Sequence, residues 1–148
     1  LFGLIGVLTG PLLHANVAHI VSNTVPLLVL GTVLFFFYAR DAKLVFLSCY
    51  FIPNILVWIF ARQLNHIGAS GIIYGLASYL VVTGLLRRDF NSIIITIVVL
   101  GLYSSLFFNL GQRLASVSYE MHISGVSVGL FLATFLFVKQ KKANKIRP

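Results

Sequence analysis

The sequence predicts an all-α protein, a polytopic bundle of transmembrane helices. Three observations carry that prediction. Hydrophobic residues make up 59% of the 148 and charged residues only 9%, against about 25% charged in a soluble domain. The apolar residues fall into runs long enough for helices that cross a bilayer, which takes about 20 residues each. The charges gather where those runs end, at 40–43, 87–89 and from Lys139 onward.

Taken in order, residues 1–13 are apolar but broken by Gly3, Gly6, Gly10 and Pro11. They are too short to span and read as an interfacial or re-entrant lead-in. The first span is expected over 14–38, with Pro26 as a kink that neighbouring helices can tolerate. A charged loop, Arg40-Asp41-Ala42-Lys43, should follow it. The second span is expected over 44–61 with Pro53 inside it, then a polar loop over 62–66. The third should run from Ser70 to Leu86, and the fourth from a cap at Asn91 or Ser92 to about Phe108. A polar loop over 109–120 leads to a fifth span over 121–138. The division is therefore a membrane domain, 1–138, and a basic, mobile tail, 139–148. The chain opens on Leu1 rather than methionine, so it is expected to be a fragment or a processed product.

Sidedness follows from charge. Nine of the eleven Lys and Arg residues fall at the 40–43 loop, the 87–89 loop and the tail; only Arg62 and Arg113 fall on the other side. The positive-inside rule puts the nine in the cytoplasm. The chain is thus expected in the cell membrane with a cytoplasmic C-terminus. His14, the 66–70 segment, the 109–120 loop and His122 then share the outer side of one bundle. No aromatic-laced basic face is present, so nucleic acid is not an expected partner. The bilayer is. The lone cysteine, Cys49, lies inside an apolar run and allows no disulfide within the chain.

Ser70 stands in Gly68-Ala69-Ser70-Gly71, where a polar loop enters the third span. Glycine permits the sharp turn such a serine would need. A helix start also offers free N–H groups to a developing oxyanion. From Ser70 to Leu86 is 17 residues, about 25 Å of helix against a hydrocarbon core of about 30 Å. The loop before Ser70 should therefore sit at membrane depth, which is tolerated only inside protein or beside water. Alone, a Gly-x-Ser-Gly at a helix start is most often a sign of tight packing.

His19 and Asn23, i and i+4, share one helix face. They can glue helices together, or they can donate to an oxyanion with the Ser70 N–H. His14 lies about 140° from His19 on an ideal helix, so it reaches the same pocket only from an irregular entry turn. In the last span, Gly125 and Gly129 form a Gly-x-x-x-Gly face that His122 shares at i, i+3. Gly71, Gly75 and Ser78 offer a matching small face on the third span, and packing the two would bring His122 near Ser70. One reading of His122 is a satisfied interior group, but an intramembrane ionisable residue is a functional candidate by default. The only acids are Asp41, Asp89 and Glu120. The first two fall a membrane away, and Glu120 lies about 200° around the helix from His122. A Ser–His–Asp triad is excluded by inventory, leaving a dyad with Tyr74, one turn below Ser70, as the group that could orient the imidazole by stacking. The four histidines have no carboxylate beside them and poor ligand spacing, so no metal is expected.

In His14-x4-His19-x3-Asn23, in Gly68-Ala69-Ser70-Gly71 with Tyr74, and in His122 with Gly125 and Gly129, the chain resembles the rhomboid family of intramembrane serine proteases. The resemblance covers nearly the whole chain. It implies Ser70 as nucleophile and His122 as general base and then acid. It implies His19, Asn23 and the Ser70 N–H as the oxyanion site, supported by His14 and Gly68, with Tyr74 stacked on the imidazole. It also implies that the fourth span and the following loop resemble a mobile gate and cap, that no cofactor is needed, and that the substrates are transmembrane proteins. The common core of that family has six helices. Its first helix and the membrane-lying loop after it are not present here as full elements, and neither is the Trp-Arg pair often found in that loop. Two other readings compete. A non-catalytic relative that binds membrane helices for quality control or trafficking would not need both Ser70 and His122. A transporter would be expected to place acids or ion pairs at mid-membrane, where this sequence has none. Nothing in the sequence fixes the number of copies that assemble.

Overall fold

A computed structural model describes residues 2–62, 66–108 and 118–146. Among the described residues six α-helices are present in this order: α1 Phe2–Thr9, α2 Val17–Phe37, α3 Ala39–Phe60, α4 Ser70–Arg87, α5 Phe90–Phe108 and α6 Tyr119–Ile146. A 3₁₀ turn, Gly10–Leu12, follows α1. No strand occurs among the described residues. Helices α2, α3, α4 and α6 are long and apolar enough to cross a membrane, while the apolar stretch of α5, Phe90–Leu106, is shorter. The polytopic helical bundle read from the sequence is the fold of the chain.

Helix α4 is its axis. Residues Gly71 to Val81 are buried without interruption, and α4 packs against α2, α3, α5 and α6. The contrast with α2 decides the layout: 72% of the most apolar window of α4 is buried, but only 17% of that of α2. A helix apolar all round and little buried in its own protein is one that faces lipid. Small residues bring α4 and α6 together. A Cβ on Gly125 would collide with the Gly71 carbonyl, and one on Gly129 with the Gly75 carbonyl and Ser78 Oγ. Ser78 Oγ donates to the Tyr74 carbonyl at 2.7 Å, which satisfies its hydroxyl within the helix.

Four element boundaries differ from the sequence expectation, each for a physical reason. The first span starts at Val17, not His14, because Asn16 caps it: its side chain accepts the His19 N–H at 2.8 Å. The charged stretch 40–43 is not a loop. Tyr38 alone closes α2 and opens α3, accepting the Ala42 N–H at 2.9 Å, and Arg40 to Lys43 form the first turn of α3. Helix α5 starts at Phe90 and is capped by neither Asn91 nor Ser92; the Asp89 side chain accepts the Ser92 N–H at 3.1 Å and the Ser92 hydroxyl at 2.8 Å. Those bonds hold the Asp89 carboxyl below the usual carboxylate range. Finally, the last helix does not end at Val138. It continues to Ile146, since no glycine or proline interrupts the stretch from Lys139.

The last difference has a partner in space. Gln140 Nε2 donates to Asp41 at 2.6 Å, and Arg87 donates to Gln140 Oε1 at 3.0 Å. Arg87 also lies over the Tyr38 ring, 5.3 Å from its centroid, and the Tyr38 hydroxyl donates to Ser92 at 3.1 Å. These bonds tie the α2–α3 corner, the end of α4, the start of α5 and the α6 extension at one end of the bundle. Ser70, His19 and His122 lie at the other.

Candidate active site

The entry to α4 is built on a conformation that favours glycine. Gly68 has φ +104°, and a Cβ there would stand 2.7 Å from His19 Nε2 and 3.5 Å from Asn23 Oδ1. Any side chain would be both strained and in collision. The Gly68 N–H donates to the Gly10 carbonyl at 2.9 Å, fastening the turn to the lead-in. Ala69 gives α4 no side-chain cap, and the first backbone bond of the helix runs from the Ile73 N–H to the Ala69 carbonyl at 3.1 Å. The N–H groups of 70–72 are therefore left without intrahelical acceptors, at the positive end of the helix dipole.

Opposite them stand the residues of α2. The His14 and His19 rings meet edge to face, centroids 5.0 Å apart. His14 lies before the Asn16 cap, outside the helix, and so escapes the 140° separation that helical geometry would impose. The Ala15 N–H donates to His19 Nδ1 at 3.4 Å. A ring nitrogen that accepts carries no proton, so neutral His19 presents Nε2–H toward Gly68. Asn23 Nδ2 donates to the His19 carbonyl at 3.0 Å. Asn23 Oδ1 and both His14 ring nitrogens are buried without a hydrogen-bond partner among the described residues.

Helix α6 completes the cluster. The His122 ring lies on the Tyr74 ring, centroids 4.1 Å apart and planes 18° from parallel. Tyr74 is one turn below Ser70, so this contact brings the imidazole alongside the serine's own helix. His122 Nδ1 is buried and unpartnered among the described residues. No hydrogen bond joins Ser70 to His122. No group of three or more His, Cys, Asp or Glu that could hold a metal occurs among the described residues. Beside the cluster, a cavity of about 310 Å³ is lined by Gly3, Gly6, Gly10, Asn54, Trp58 and Met121 among others.

The structure thus gathers His14, His19, Asn23, Gly68, Ser70, Tyr74 and His122 at one end of the bundle, with Gly71, Gly75, Gly125 and Gly129 as the packing surface beneath. Two contacts here were not foreseen. Arg62 Nε pairs with Glu120 Oε1, backed by Arg62 Nη2 to Oε2 at 3.2 Å. His66 Nδ1 meets Ser118 Oγ at 2.6 Å. The only signal in the sequence was that the side of the chain away from the basic clusters carries one acid and two basic residues.

A helical membrane bundle with a serine at a buried helix start, beside a stacked histidine from another helix, defines the class. The chain belongs to the rhomboid family: the model of the Rhomboid domain matches residues 2–139. An uncharacterised protein of Mycobacterium tuberculosis is 34% identical over 163 aligned residues, covering 98% of this chain and 64% of its own length. An uncharacterised protein of Mycobacterium bovis matches equally, and one of Mycobacterium leprae is 32% identical, covering 96% of this chain and 60% of its own length. The chain thus spans somewhat under two thirds of the curated relatives it matches. No solved structure matches it.

Proposed function

We propose that this protein is an intramembrane serine endopeptidase that cleaves peptide bonds in or near transmembrane segments of other membrane proteins. The observation that carries the reading is the stacking of His122 on Tyr74, one turn from Ser70. Ser70 Oγ attacks the scissile carbonyl and His122 takes its proton, then gives it to the leaving amine. Water adds to the acyl-enzyme with His122 again as base, releasing the acid and restoring Ser70 Oγ–H. The oxyanion is met by the Ser70 N–H and by His19 Nε2–H, with the second N–H of the Asn23 amide as third donor. His14 backs His19 through its ring contact. No carboxylate orients His122; Tyr74 fixes the plane of its ring instead. No cofactor takes part.

A fluorophosphonate probe tests this. It should label the purified protein on Ser70 alone, as mapped by mass spectrometry, and His122→Ala should suppress labelling. Labelling elsewhere, or none in a protein that cleaves, would refute the assignment. The basic end of the bundle, from Lys139 to Lys145, is proposed to be cytoplasmic under the positive-inside rule. In intact cells a cysteine at position 145 should resist membrane-impermeant maleimide; its modification from outside would reverse the orientation.

A further inference from the structure

The two unforeseen contacts join the same pair of segments. Arg62 and His66 belong to the stretch that leads from α3 into Ser70; Ser118 and Glu120 belong to the start of α6, which carries His122. The His66 bonds fix their own polarity. His66 Nε2 lies 2.9 Å from the Arg62 carbonyl, which can only accept, so Nε2 carries the proton. In the neutral imidazole Nδ1 then accepts, and the Ser118 hydroxyl donates to it. Ser118 Oγ in turn accepts the Met121 N–H at 3.3 Å, capping α6. Met121 reaches back to α4: a Cβ on Gly71 would sit 2.7 Å from its sulfur. The second strap is the ion pair of Glu120 with Arg62, and the Arg62 guanidinium also lies over the Tyr119 ring, 4.8 Å from its centroid.

We propose that these straps form a clamp that sets the register of His122 against Ser70, with Arg62 and Glu120 as positioning residues; the proposal rests on the serine protease reading above. Glu120 lies on the side of α6 away from the stacked face of His122, so it acts on the helix and not on the imidazole. The Arg62 side chain is 47% exposed and that of Glu120 15%. An ion pair so open to solvent adds little to stability. Its effect is geometric, on a site where small displacements are costly. A missing acid is thus offset in two ways: Tyr74 orients the ring, and the clamp places the helix that bears it.

The test uses Arg62→Gln, Glu120→Gln and the exchange Arg62→Glu with Glu120→Arg. Spin labels at Ile67→Cys and Ile123→Cys, in a Cys49→Ala background, report the spacing of the two segments without requiring activity. Each single variant should lower kcat about tenfold with KM and Tm little changed. Each should also broaden the interspin distribution. The exchange should restore both readouts. Unchanged kcat, an unchanged distribution, or an exchange that recovers neither would overturn the clamp. If Ser70→Ala cleaves as well as the parent, the protease reading fails instead, and the spin labels still judge the clamp.

Discussion

Replacing either Ser70 or His122 by alanine should lower kcat on a transmembrane substrate by about 10⁴-fold or more, and replacing both should cost no more than either alone. In the proposed mechanism a nucleophile without its base stays protonated, and a base without its nucleophile has nothing to activate, so the two would act as one unit. Substitutions in the oxyanion group should behave differently. His19→Ala leaves nucleophile and base in place and removes one donor, a loss of roughly 10²–10³. The assay is single-turnover cleavage of a purified transmembrane substrate in detergent, with circular dichroism to confirm the helical fold of each variant. Turnover by Ser70→Ala comparable to the parent's would exclude Ser70 as nucleophile. A double variant far slower than either single one would show that Ser70 and His122 act independently.

The bundle and its polar end were legible in the sequence because apolar run length, small-residue spacing and histidine spacing each report a local constraint. Helix ends were less legible, and for one cause. Charges mark where a helix leaves the bilayer, whereas caps and breakers mark where it stops. Arg40-Asp41-Ala42-Lys43 and Lys139–Lys145 hold no glycine or proline, so α3 starts and α6 continues through them. Asn16 and Asp89 were the cap signals, both of a residue type that favours N-caps. The clamp was hidden for a different reason. Arg62 and Glu120 stand 58 residues apart in the chain, and only the packing of α6 on α4 brings them together. The angle that turns Glu120 away from His122 is what turns it toward Arg62.

Gly125→Val should unfold the site even though no catalytic group is touched. A Cβ at Gly125 falls on the carbonyl oxygen of Gly71, a backbone atom that cannot swing away as a side chain could. Gly71 is the residue after Ser70, held in the first turn of the most buried helix of the bundle. The collision must therefore be relieved by moving α6 outward. That movement opens the Gly129 contact with Gly75 and draws His122 off the face of Tyr74. Membrane helices associate through close packing rather than through a hydrophobic drive, so a lost small-residue seam is not replaced by other burial. Forcing extra carbons into a packed seam costs about 1–3 kcal/mol. The matched control is Gly101→Val on α5, where an added Cβ meets nothing within 4 Å. Thermal unfolding in detergent should show a lowered Tm for the Gly125 variant and a smaller change for the Gly101 variant. Fluorophosphonate labelling of Ser70 should fall only in the former. If Gly125→Val kept both its Tm and its labelling, the α4–α6 seam would not be what holds His122 beside Ser70.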